Sequence, residues 1–192
     1  MKVGVYGGTF DPVHTAHLIV AEHTREQLNL DLVLFVPSYI PPHKKEAPLC
    51  RAGERLEMVK LAVKDNPHFQ AIDFEVRQKT TSFSIDTLQH IRRVFSLARH
   101  ELFLLIGADN YKTFDQWKAP QDIYSICRLA VAGRPDADAN VKHEYTDVER
   151  IDAPLMQISS TAVRERYSKG KSIRYMVPRQ VEQYIRQYNI YQ

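Results

Sequence analysis

The stretch GGTFDPVHTAH, Gly7 to His17, gathers two adjacent glycines, an Asp-Pro pair and two histidines three residues apart. Glycine lacks the Cβ that keeps a ligand off the backbone, so Gly7 and Gly8 let N–H groups approach a phosphate. If a helix begins near Thr15, its N-terminus favours an anion, and His14 and His17 share one face there. Both imidazoles can donate to phosphate oxygens. The same pair also reads as a zinc site or as packed structural histidines. Zinc would need a third protein ligand, and Asp11 is the only close candidate. The stretch is neither G-x-x-x-x-G-K-[ST] nor G-x-G-x-x-G, so a P-loop kinase and an ordinary dehydrogenase both lose support. A second stretch, ISSTAVRER, spans Ile158 to Arg166. Its hydroxyls at Ser159, Ser160 and Thr161 suit a helix N-cap, and Arg164 falls one turn into the helix that follows. Hydroxyls and an arginine at a helix N-terminus can hold a polyphosphate. Taken alone, this stretch reads first as a plain capped surface helix, and its pairing with the first motif is what favours the phosphate reading.

The elements that must position these residues alternate between strand and helix. Lys2–Tyr6 is a short β-rich run, and Thr15 to Leu28 is helical through Leu18, Ala21 and Leu28. Leu32–Pro37 is a continuous apolar run stopped by proline, the pattern of a strand buried on both faces. Glu54–Lys64 reads as a helix. Ile72–Val76 alternates apolar and polar and reads as a half-buried strand. Ser84–Ala98 is helical, Leu102–Gly107 and Leu129–Gly133 are strands, and a loop and helix lie around Trp117 to Ile126. Pro135–Ala153 reads as a surface loop or an extra edge strand. Pro178–Tyr188 is a closing helix with Pro178 in its first turn. Strands separated by helices predict a Rossmann-like, doubly wound α/β fold with a mainly parallel sheet and helices on both faces. The expected organisation is one domain over 1–192, with a helical part at about 158–192 packed on it. GGTFDPVH, PSYIPPHKK, GADN and GRPD each follow a strand. The carboxyl ends of parallel strands share one edge, where open α/β sheets bind ligands.

Composition narrows the class. With 192 residues, 44% hydrophobic and 26% charged, the chain can bury a core without staples. A formal net charge of +3 is too mild for a nucleic-acid binder, so anion recognition must be local. Cys50 and Cys127 have no metal-type or redox-type spacing and read as reduced thiols of a cytoplasmic protein. No apolar run approaches the roughly 18 residues of a membrane span, and the start is too short in apolar residues for a signal peptide. A homo-oligomer is compatible with such a chain.

GGTFDPVHTAH together with ISSTAVR, about 140 residues further on, resembles the nucleotidyltransferase superfamily with its H-x-G-H-type signature. PPHK, SFSIDTL, GADN with the following Trp, and GRP look like bacterial nicotinate-nucleotide adenylyltransferase. The resemblance runs from about Lys2 to Arg166. It implies transfer of the adenylyl group of ATP to nicotinate mononucleotide, giving nicotinate adenine dinucleotide and pyrophosphate, with Mg²⁺ accompanying ATP. It implies that Gly7, Gly8, Thr9 and Phe10 line the phosphate pocket. His14, His17 and Arg164 would be catalytic, and Ile158, Ser159, Ser160 and Thr161 would contact ATP. Gly107 and Asp109 would serve the adenosine side. His43, Lys44, Ser84, Trp117 and Arg134 would serve the mononucleotide, with Trp117 either a platform for the nicotinate ring or a core residue. Two positions depart from the family pattern. Ala16 stands where the signature usually has Gly, and Phe83 stands where a Tyr is common. The resemblance leaves two rivals: a sister transferase such as pantetheine-phosphate adenylyltransferase, and a non-catalytic nucleotide sensor.

Overall fold

A computed structural model describes residues 1–42, 47–133, 145 and 147–192. Its strands form one six-stranded sheet, in the order β3-β2-β1-β4-β5-β6. They are β1 (Val3–Gly8), β2 (Leu32–Pro37), β3 (Phe69–Ala71), β4 (Leu102–Gly107), β5 (Arg128–Ala132) and β6 (Val148–Ile151). The pairs β1·β4, β4·β5 and β5·β6 are parallel. The helices are α1 (Thr15–Leu28), α2 (Ala52–Val63), α3 (Phe74–Gln78), α4 (Ser84–Val94), α5 (Ala108–Lys112), α6 (Pro120–Ile126), α7 (Ser160–Ser168) and α8 (Arg179–Gln187). No helix among the described residues is long and apolar enough to cross a membrane.

The chain divides into two compact units. The first is Met1–Gly7, Val20–Leu34 and Phe83–Leu155; the second is Gly8–Ile19, Phe35–Ser82 and Met156–Gln192. In the first unit the core is the sheet interior, with Val3, Val33, Leu34, Leu102 and Leu129 at 0% exposure. Continuous apolar strands of this kind are what parallel packing under helices requires. In the second unit Phe35, Val36, Met58, Val59 and Val181 are equally buried.

Several elements differ from the sequence expectation, each for a local reason. Ile72–Val76 is not a strand. The strand is Phe69–Ala71, and Phe74–Gln78 is a short helix supported by an Arg77–Asp73 ion pair at 3.2 Å. Five alternating residues do not separate the two periods, and the Asn66 turn sets the register: Asn66 Oδ1 accepts the His68 N–H and Asn66 O the Phe69 N–H. Helix α4 stops at Val94 rather than Ala98, because Ser96 turns left-handed (φ 52) and the Leu97 N–H caps Arg92 O. Pro178 is the N-cap of α8 rather than a residue of its first turn. Within Pro135–Ala153, the edge-strand alternative holds for Val148–Ile151, which pairs with β5; residues 135–144 and 146 lie outside the described residues.

Candidate active site

In the second unit the two motifs meet. Ser159 is the N-cap of α7, its Oγ accepting the Ala162 N–H at 3.1 Å. The other two hydroxyls do different work. Ser160 Oγ donates to Pro12 O at 2.9 Å, and Thr161 Oγ1 lies 3.4 Å from Arg164 Nη2. Arg164 Nη1 donates to Asp11 O at 2.8 Å and stands 3.9 Å from Asp11 Oδ2. The N-terminal turn of α7 is thereby tied to the Asp11–Pro12 segment, more than 140 positions away in sequence. Both ends bring anion-binding features: N–H groups at a helix start, a guanidinium and two imidazoles.

The histidines do not sit as two residues of one helix. α1 starts at Thr15, so His14 precedes it and only His17 lies in its first turn. Thr15 is held from outside, its N–H donating to Met176 O and its Oγ1 to Tyr175 O, both at 2.9 Å. Ala16 fits the first turn of a regular helix. The two rings nevertheless stack, with centroids 3.5 Å apart and planes at 20°. His17 Nδ1 accepts the His14 backbone N–H at 3.1 Å, which leaves the proton of the neutral imidazole on Nε2. His14 is 6% exposed, and burial pushes its imidazole down to about 4. It is therefore neutral at pH 7, and its Nδ1 has no hydrogen-bond partner among the described residues.

The preceding turn is shaped from within. Phe10 is left-handed (φ 48) and 2% exposed, and its ring meets His17 edge-on at 5.0 Å. A Cβ on Gly8 would come within 2.9 Å of that ring, so Gly8 is glycine for packing. A Cβ on Gly7 would meet no atom within 4 Å. Thr9 O and Ser38 O accept from the two terminal nitrogens of Arg55, at 2.5 and 2.6 Å, and Arg55 Nε donates to Cys50 O at 3.2 Å. Arg55 is only 1% exposed, so its charge is held by backbone carbonyls inside the unit.

Of the remaining expected site residues, Ile158 belongs to the second unit, and the others fall in the first unit or outside the described residues. Gly107 ends β4 and Gly7 is the last residue but one of β1, neighbouring parallel strands at which the strand order reverses. That is the position at which open α/β sheets take ligands. Asp109 is exposed in α5, its carboxylate 3.6 Å from Lys112 Nζ. Ser84 opens α4 behind the N-cap Phe83, whose ring lies 4.3 Å from Lys118 Nζ. Trp117 is half-buried and packs against Phe114 with centroids 5.5 Å apart. Ile158 is half-buried just ahead of α7 in the second unit. His43, Lys44 and Arg134 lie outside the described residues.

Both oxygens of the Asp11 carboxylate are engaged by the protein. Its Oδ1 accepts from Tyr191 Oη at 2.8 Å and its Oδ2 from the Leu49 N–H at 3.0 Å. No group of three His, Cys, Asp or Glu side chains able to hold a metal occurs among the described residues. These residues build no cage for Mg²⁺ or zinc. Two residues that matter here, Arg55 and Tyr191, were not singled out from the sequence. A charged residue within the apolar pattern of α2 was the one available signal for Arg55; Tyr191 had none.

The cytidylyltransferase-like family matches residues 5–166, which include both motifs. A protein of Exiguobacterium sibiricum named "Probable nicotinate-nucleotide adenylyltransferase" is 39% identical over 191 residues, covering 100% of this chain and 99% of its own. One of the same name from Dictyoglomus thermophilum is 40% identical over 197 residues, covering all of both chains. The solved structure of Plasmodium falciparum nicotinic acid mononucleotide adenylyltransferase complexed with NaAD shares the fold. Its TM-score is 0.77 at 17% identity, over 99% of this chain and 97% of that one. The chain belongs to the cytidylyltransferase-like family and, within it, to the nicotinate-nucleotide adenylyltransferases.

Proposed function

We propose that this protein transfers the adenylyl group of ATP to nicotinate mononucleotide, releasing pyrophosphate, in the cytoplasm. The observation that carries the reading is the tie of Arg164 and Ser160 to Asp11 and Pro12. It joins a helix N-terminus, a guanidinium and the stacked histidines into one anion-binding surface.

The attacking group is the phosphate of the mononucleotide. A phosphate monoester has a second pKa near 6, so it is already an anion at neutral pH and needs no general base. One of its oxygens bonds to the α-phosphorus of ATP as the bond from that phosphorus to the β-bridging oxygen breaks, and pyrophosphate leaves. The protein's task is positioning and stabilisation of charge on the phosphoryl oxygens. His17 donates through Nε2–H. His14, held neutral, donates one N–H and adds no charge. Arg164, Ser159, Ser160, Thr161 and the backbone at Ile158 hold the β- and γ-phosphates, with Gly8, Thr9 and Phe10 shaping the turn. Gly7, where protein packing asks for no glycine, admits the phosphate chain. Gly107 and Asp109 take the adenosine side. Mg²⁺ accompanying ATP would be held by phosphate oxygens and water and would supply neutralisation of the phosphate charge. Ser84 at the start of α4 faces the pyridine carboxylate, a helix N-terminus favouring the acid over the amide. Trp117 stacks on the pyridine ring. His43, Lys44 and Arg134 are proposed as further phosphate contacts from the family resemblance.

The test is pyrophosphate release from ATP and Mg²⁺ with nicotinate mononucleotide, nicotinamide mononucleotide or phosphopantetheine as acceptor. Strong preference for the first is expected. Activity only with another acceptor would overturn the substrate, and silence with all three would favour a nucleotide sensor.

A further inference from the structure

We propose that Tyr191 is a positioning residue for Arg164, acting through Asp11. The inference rests on the proposed role of Arg164 at the ATP phosphates.

Asp11 is 3% exposed, so its carboxylate must find its partners inside the protein. The side-chain donor is the Tyr191 hydroxyl, 2.8 Å from Oδ1, and the Leu49 N–H serves Oδ2 at 3.0 Å. With both oxygens anchored, Asp11 presents its carbonyl to Arg164 Nη1 at 2.8 Å and keeps Oδ2 within 3.9 Å of the same nitrogen. The guanidinium is thereby aimed by a residue that is itself aimed by Tyr191. The geometry around Tyr191 fits a held contact. Past α8 the chain turns through two left-handed residues, Asn189 (φ 49) and Tyr191 (φ 71). A bulky side chain keeps that conformation only where its surroundings impose it. Between them Ile190 is buried at 8% exposure, and its N–H donates to Ile185 O at 3.1 Å. Burial and the adjacent Asp11 charge push the phenol above its ordinary range, so the hydroxyl remains a donor at every working pH. Tyr191 lies 180 positions from Asp11 and outside the stretch matched to the family, residues 5–166.

The experiment compares the wild type with Tyr191→Phe, Asp11→Asn, the double variant and Arg164→Ala. Steady-state kinetics are run for each substrate, with calorimetric titration of ATP and a thermal melt. Tyr191→Phe removes one oxygen from a site that tolerates the ring, so the fold is kept. The expected result is a fall of about tenfold in kcat/KM for ATP and in ATP affinity, the size of one lost hydrogen bond to a charged group. KM for the mononucleotide stays near wild type, and the melting temperature falls by only a few degrees, about the cost of one donor lost from a buried carboxylate. The double variant is no worse than Asp11→Asn alone, since both changes break one path. Wild-type ATP affinity and kinetics in Tyr191→Phe would overturn the proposal. So would losses that multiply in the double variant, or an equal loss for both substrates with a much lower melting temperature. No pyrophosphate from the wild type would overturn the activity itself. An active wild type with a crippled Arg164→Ala and an unaffected Tyr191→Phe would overturn only the role of Tyr191.

Discussion

His17 Nδ1 accepts the backbone N–H of His14 while the two imidazoles stack at 3.5 Å between centroids. The first contact sets the tautomer of the neutral His17 ring, and His14 is only 6% exposed. The two histidines therefore have different electrostatic characters despite their shared motif: His17 is a donor oriented by the backbone, and His14 is a buried neutral ring.

From this difference, His17→Ala should lower turnover by about 10²–10³, the effect of losing one preorganised donor to developing charge. ATP affinity should fall less. Stopped-time assays of pyrophosphate release at saturating substrate read this directly, and an unchanged turnover would make His17 structural.

His14 makes stability depend on pH in a defined window. Its pKa lies below the unfolded value, 6.5 against about 4, so the unfolded chain binds more protons between those limits. Its contribution is complete above pH 6.5 and is lost as pH falls toward 4. At about 1.4 kcal/mol per pH unit, the loss is up to about 3 kcal/mol. Urea midpoints of wild type and His14→Gln at pH 7 and pH 5 isolate it. The wild type should lose more stability than the variant over that interval, and parallel losses would refute the assignment.

Arg55 predicts a stability effect away from the chemistry. Its guanidinium donates to Cys50 O, Thr9 O, Ser38 O and Tyr39 O. Arg55→Met would fill the space and strand those carbonyls, lowering the unfolding free energy by about 3 kcal/mol or more. Chemical denaturation checks this, with Arg77→Met, at an exposed position, as the control expected to move little.

For Trp117→Ala we expect a raised KM for nicotinate mononucleotide and an ATP KM close to wild type. The packing of Trp117 on Phe114 sets the competing outcome. If both Michaelis constants rise alike, the ring serves the fold and not the pyridine.

The legible parts of the sequence were those whose signal is local. Thr15–Leu28, Leu32–Pro37 and Leu102–Gly107 have the bounds that their periodicity and apolar runs imply. Ser159 caps α7 as a hydroxyl ahead of a helix should. Ile72–Val76 was misread because five residues are too few to separate a period of 2 from one of 3.6, and a turn at Asn66 decided the register. Gly8 was legible as a special position but for an incomplete reason, since the ring that excludes its Cβ belongs to Phe10.

By itself the sequence determined the alternation of strands and helices, the chemical content of the two motifs, and the absence of a strong basic balance. These follow from residue type and short spacing, which act within a turn or a strand. Only the tertiary structure decided that Arg164 would be held by Asp11, that the Asp11 carboxylate would be engaged by Tyr191, and that His14 would be buried neutral. Those outcomes depend on contacts between residues far apart in the chain. Hydrogen bonding and desolvation at such contacts are set by which surfaces the fold brings together, a quantity no local pattern encodes.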